Sequence, residues 1–398
     1  MEATARELLD LVVRWVHVIA GIMWIGNSLL FNWLDRNLTP PAEPKAGVEG
    51  EIWLLHSGGF YQVEKKQLAP WQLPAQLHWF KWQKFTTWVS GILLLIIVYY
   101  LGGAAYMVDP GVAEISVGTA IAIGVGVLVG SWFVYDLLWR SPIGKNPLLA
   151  AAISLVLLIA TTYGLAQTLS GRAAYIHIGA MLGTLMTGNV WLHIMPSQRA
   201  LVAATKAGQR PDPALAQRAK QRSIHNNYMT FPLLFIMVSN HFPSTYSNQL
   251  NWLILAILML ASAAIRHFMN VRFWYRGWLR AAAGTALVAL ALVLVLMART
   301  RGPTSVAASS QPVPFTTVQA IIRQRCLACH SATPTDSQFT AAPAGVTFDT
   351  PEQIRRMAGR IKERAVVSKT MPLGNKTGMT EEERALLGAW IDQGANTR

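Results

Sequence analysis

Eight separate runs of mostly apolar residues decide what this chain can fold into: 9–34, 84–107, 115–139, 147–169, 172–195, 225–241, 250–270 and 279–298. A helix needs about 20 apolar residues to cross the hydrocarbon of a bilayer. Every run reaches that length except the sixth, which also contains Pro232. The expected fold is therefore all-α, a polytopic eight-helix transmembrane bundle over residues 1–298. Composition agrees, because charged residues make up only 14% of the chain against about 25% in soluble proteins. The first run continues past Trp24 to Trp33 and is too long for the apolar core of a cleaved signal peptide, so none is expected. Gly126/Gly130 and Gly179/Gly183 have the small-xxx-small spacing that brings helices together. The stretch "GVGVLVG" lies inside a run and follows no strand, so it reads as helix packing and not as a nucleotide loop.

The basic residues give the bundle a direction. Loop 35–83 and its flank carry Arg36, Lys45, Lys65, Lys66, Lys81 and Lys84, and loop 196–224 carries Arg199, Lys206, Arg210, Arg218, Lys220 and Arg222. Arg140 and Lys145 mark a third loop, and Arg272, Arg276 and Arg280 a fourth. The alternate loops offer only Arg172, at a flank. Positively charged loops stay in the cytoplasm, which puts both chain ends on the opposite side. The net charge of +14 thus follows membrane boundaries, and no nucleic-acid partner is expected.

Beyond the last run, "RTRGPTSVAASSQPVP" at 299–314 reads as a tether, and 315–398 as a small separate domain. Its "RQRCLACHSATP" holds the chain's two cysteines, Cys326 and Cys329, followed directly by His330. Cys-x-x-Cys-His is the attachment signature of haem c: two thiols bond the porphyrin and the histidine binds iron. A redox disulfide is the competing reading, but the adjacent histidine and the lack of a βαβ pattern oppose it. The domain is expected to be an α-helical class I cytochrome c. Bacterial haem attachment occurs outside the cytoplasmic membrane, which agrees with the side set by charge. Three methionines could supply the second axial ligand. Met371, in the irregular "SKTMPLGNKTG", is favoured over Met379, which precedes the last helix, and over Met357 within "PEQIRRMAGRIKERA". Thr380 and Glu383 predict a capping box for that last helix, with Leu386, Leu387 and Trp390 as its apolar face.

Polar residues inside spans mark candidate sites. In the first span Asp10, Arg14, His17, Gly21, Trp24, Ser28, Phe31 and Asp35 repeat at 4-3-4 spacing and form one stripe, expected to face the bundle. Counting along the helices puts His17 and His177 in the outer, periplasmic part of the membrane. His17 reads as a haem b ligand or substrate contact, against a structural hydrogen bond or a metal ligand; for His177 the structural role leads over haem b ligation. Asp136, His193, His225, Asn226, Asn227, Arg266, His267 and Asn270 gather toward the cytoplasmic ends, with Asp136 and Arg140 spaced to pair. Loop 35–83 is too long for a mere connector. Its aromatics, with His56 and His78, suit either a segment lying on the membrane or a site.

The first span "RWVHVIAGIMWIGNSLLFNW", with "HSGGFYQVEKK" and "LHWFKW" in the first loop and a Cys-x-x-Cys-His tail, resembles the bacterial membrane-bound urate oxidases with a C-terminal cytochrome c. The resemblance implies an inner-membrane enzyme that oxidises urate to 5-hydroxyisourate in purine degradation. Electrons would pass to its haem c and on to a periplasmic or membrane acceptor. Arg14 and His17, one turn apart, could supply the cation and base for that reaction, with Arg266 and His267, or His56 and His78, as alternatives. The first span also resembles that of small membrane protoporphyrinogen oxidases, which implies a haem b at His17. No flavin or nicotinamide fingerprint is present. Two other readings remain, a quinol-oxidising electron relay without a urate site and a transport domain with a redox-sensing cytochrome.

Sidedness is directly testable. A reporter fused after Arg398 is expected to be active only outside the cytoplasm, and one inserted near Gly208 only inside; the opposite pattern overturns the charge-based orientation.

Overall fold

A computed structural model of the chain describes residues 3–101, 104–210, 212–300, 312–339 and 341–397, so the expected tether over 299–314 lies largely outside the described residues. In chain order, α1 (Ala3–Asn37) leads to a hairpin of β1 (Val48–His56) and β2 (Gly59–Lys66). Then come α2 (Trp82–Leu94), extended by a π-helical turn to Tyr100, the short α3 (Ala104–Met107), α4 (Val117–Arg140), α5 (Pro147–Ala166) and α6 (Gly171–Gly188). A second π-helical stretch, Asn189–Ile194, joins α6 to α7 (Met195–Lys206). The membrane part closes with α8 (Pro213–Ser239), α9 (Pro243–Tyr246), α10 (Asn251–Val271) and α11 (Trp278–Thr300).

Seven described helices are long and apolar enough to cross a membrane, and they coincide with seven of the eight expected runs. The remaining run is the second half of α8. That helix continues through Pro232, but Arg218, Lys220 and Arg222 in its first half, and Asn226 and Asn227 at its middle, lower its hydropathy. α6 is the centre, packing on α2, α4, α5 and α8. Its Tyr175 and Ile178 are fully buried with Leu169, Ile236 and Ile254, and the Tyr175 hydroxyl donates to the Asn251 carbonyl at 2.7 Å. Where lipid is as apolar as leucine, close packing and such bonds hold helices together.

Two unanticipated glycines make the close approaches. A Cβ on Gly188 would lie 2.3 Å from the Trp132 ring, and one on Gly124 2.5 Å from His177 Nε2. Gly179 does pack tightly, on Ile236, but Gly126, Gly130 and Gly183 have nothing within 4 Å of a built Cβ. The small-xxx-small spacing therefore selected the wrong face of α4.

The first loop departs from the all-α expectation. β1 and β2 pair antiparallel around Ser57 and Gly58, both in the left-handed region that a two-residue hairpin turn requires. Alternation puts Trp53, Leu55 and Phe60 on one exposed face near the tip. The run "EIWLLH" alternates too weakly to announce a strand, and helical spans on both sides bias the reading away from one.

A second buried cluster lies in the C-terminal segment, built from α12 (Phe315–Arg325), α13 (Pro351–Arg356), α14 (Ala358–Ile361) and α15 (Glu381–Asp392). Val318, Ile322, Ile354, Leu387 and Trp390 fill it. Thr380 and Glu383 form the expected capping box, while Leu386 is exposed, narrowing the apolar face to Leu387 and Trp390. Met357 sits at the break between α13 and α14, and not within one helix. Arg325 pairs with Glu383 at 2.9 Å, tying α12 to α15.

Candidate functional site

α1 packs chiefly on α2, so it lines one edge of the bundle. The polar stripe faces that seam in part. Gly21 meets Thr87, Trp24 meets Lys84, and Phe31 meets Phe80. His17 Nδ1 lies 2.9 Å from the Thr87 carbonyl and 3.0 Å from Ser90 Oγ. Donation to the carbonyl puts the hydrogen on Nδ1 and leaves Nε2 as a free lone pair. Gly91 makes room for this ring, since a Cβ there would lie 3.0 Å from His17 Cε1. Arg14 departs from expectation. It is half exposed and held by Asp10 at 2.7 Å, so its charge is already matched.

Lys84 gave no sequence signal beyond one more positive charge at a loop flank. It is only 3% exposed, with Nζ 4.7 Å from the centre of the Trp24 ring. Among the described residues it has no acidic or hydrogen-bonding partner. On α2 it precedes Thr87 by three residues, about 4.5 Å of rise, and so shares the seam with His17.

His177 is fully buried, and both ring nitrogens are engaged. Nδ1 lies 2.8 Å from the Ala173 carbonyl, and Nε2 lies 3.1 Å from the Tyr100 hydroxyl. His17 sits opposite Thr87 and His177 beside Tyr100, about 20 Å apart along the α2 axis. The structure does not bring the two histidines together, and His17 lies nearer the first-loop face than His177. His56, at the hairpin tip, and His78 are exposed, and neither side chain makes a hydrogen bond among the described residues.

The polar residues at the other helix ends do assemble. His193 Nε2 and Arg222 Nη2 both reach Asp136 Oδ1, at 2.6 and 2.8 Å. Asn189 donates to the Tyr135 hydroxyl and to Asn226 Oδ1, each at 2.9 Å, and Tyr135 lies 2.6 Å from His225 Nδ1. Arg140, the partner expected from spacing, is a more distant 3.4 Å. The π-helical stretch turns Asn189 and His193 inward together. A second group joins Arg266 and Asn270 to Asn227, and His267 to Tyr228.

In the C-terminal segment both cysteines are unpaired and half buried. The His330 ring packs on Phe348, and Nδ1 lies 3.0 Å from the Val346 carbonyl, leaving Nε2 for a metal. Met379 is 3% exposed within the apolar cluster, whereas Met371 lies outside it and is half buried. His330 Nε2 makes no hydrogen bond among the described residues and both thiols are free, so the donor set Cys326, Cys329 and His330 is chemically compatible with a covalently held haem. Among the described residues no three His, Cys, Asp or Glu side chains converge on a metal position. The segment just after Met371, Leu373–Asn375, packs on α3, and Arg6 donates to the Gln338 carbonyl at 3.0 Å. Within α3, Tyr106 lies 6.0 Å from Tyr99, and Tyr99 6.3 Å from His177, centre to centre.

Residues 3–298 match the family model described as urate oxidase N-terminal. No curated protein matches the chain, and no solved structure matches it.

Asp136 is the shared acceptor of the buried network. Asp136→Ala leaves Arg222 without a counter-charge and is expected to cost about 3–5 kcal/mol. A thermal midpoint in detergent equal to that of the unaltered protein would show the network to be dispensable.

Proposed function

The chain belongs to the urate oxidase N-terminal family, and from that premise we propose that it oxidises urate to 5-hydroxyisourate in the bacterial inner membrane and delivers the electrons to a haem c on its own C-terminal domain. The observation that carries this reading is the docking of Leu373–Asn375, directly after Met371, against α3 at the face opposite the first loop. Cys326, Cys329 and His330 would hold that haem, in the same segment that meets the membrane part at this contact. When bound, such a haem accepts one electron at a time.

The reaction balances as urate plus water giving 5-hydroxyisourate, two protons and two electrons. His17 suits the proton-accepting role, because Thr87 holds its Nδ1–H and leaves Nε2 without a hydrogen bond among the described residues. Arg14 suits the role of substrate cation poorly, because Asp10 already neutralises it. The rings of Tyr106, Tyr99 and His177 shorten the gap between the bundle interior and α3. The final electron acceptor is a further protein or quinone outside the chain.

Purified full-length protein is expected to bleach urate absorbance while its haem becomes reduced. In His17→Ala, urate-driven reduction should fall by about 100-fold or more, with reduction by dithionite unchanged. Wild-type rates in that variant reject the first-span site, and quinol-driven reduction with urate inert rejects the urate reading. The iron ligand is tested separately. Met371→Ala should keep the covalent haem but lose the methionine-ligation band, while Met379→Ala should keep the band and lose about 2–5 kcal/mol of stability. The reverse assignment of the band would make Met379 the ligand.

A further inference from the structure

A buried lysine without a counter-ion is costly, because its ammonium loses most of its water and gains nothing of opposite charge. Lys84 is in that position: it is 3% exposed, its Nζ lies 4.7 Å from the centre of the Trp24 ring, and no acidic group pairs with it among the described residues. Every other buried cation of the membrane domain has an oxygen partner: Arg222 has Asp136, and Arg266 has Asn227. The α1–α2 seam brings Lys84 onto the same line as His17, through Thr87. Gly91 gives the His17 ring its place on that line, since a Cβ there would lie 3.0 Å from His17 Cε1, and Gly21 lets Thr87 approach α1.

We propose that Lys84 is the cation that holds the substrate anion, seating a planar, negatively charged purine in the α1–α2 seam against Trp24 with His17 Nε2 one turn further along. This rests on the urate reading and names its binding group. Urate is an anion at neutral pH, so the ion pair forms only when substrate is bound. The aromatic face of Trp24 holds the ammonium in place meanwhile. His17 then meets a substrate whose charge is already matched, and its free nitrogen is available for the proton released on oxidation. Lys84 serves binding and orientation; His17 serves the proton.

The test uses full-length protein pre-reduced with dithionite, in which urate cannot be turned over, and measures urate binding by equilibrium dialysis. Lys84→Met is expected to weaken urate binding about tenfold or more, and Lys84→Arg to stay within about threefold of wild type. Because removal of an uncompensated charge relieves its desolvation cost, Lys84→Met should also have a raised thermal midpoint. A purely structural lysine predicts the reverse, so failure of Lys84→Met to fold overturns the proposal. Unchanged urate affinity in Lys84→Met overturns it too, and leaves the urate reading standing if the wild type binds urate. A wild type that binds no urate sinks both. On the unaltered protein, urate should raise the thermal midpoint and the neutral purine hypoxanthine should not; equal effects reject the role of charge.

Discussion

Asp136 carries a carboxylate that two other elements reach at the same oxygen, His193 from the π-helical stretch after α6 and Arg222 from α8. α8 is the least apolar long helix of the bundle, and a buried guanidinium could not stay there alone. The carboxylate supplies the missing charge, while Asn189 and Asn226 bond to each other. α8 can therefore pack on α6, which in turn organises α2, α4 and α5 around Tyr175 and Ile178. Gly188 and Trp132 help set the α4–α6 spacing beside this network.

Lys84 contrasts with Arg222. Both are buried cations in helices at the membrane, and only Arg222 has an acidic partner. A matched pair contributes to holding a fold. An unmatched charge costs stability. The division separates a bracing network between α4, α6 and α8 from the α1–α2 seam, where His17 also lies.

The C-terminal segment has a buried cluster of its own, and it meets the membrane part through short contacts at α3 and Arg6. Under the proposed function, that contact would bring an electron acceptor of the same chain to the membrane part, and a separate carrier would be needed only for the onward step.

Much of the fold was legible in the sequence. Apolar run length located seven spanning helices because a bilayer imposes one length on every crossing, and the 4-3 stripe identified the face that α1 turns toward α2. Cys326, Cys329 and His330 were visible as a motif because their chemistry needs adjacent residues. Other features depended on residues far apart in the chain. The partner of Asp136 is Arg222 more closely than the nearby Arg140, since depth in the bundle and the π-helical register choose it. The burial of Met379, the full engagement of His177 and the solvation of His56 and His78 also came from packing. So did the isolation of Lys84, since a sequence shows a charge but not whether an opposite charge lies beside it. Local spacing thus determined the helices and the attachment motif; only the tertiary structure decided which charges are matched, because matching is a distance between segments that the chain order does not contain.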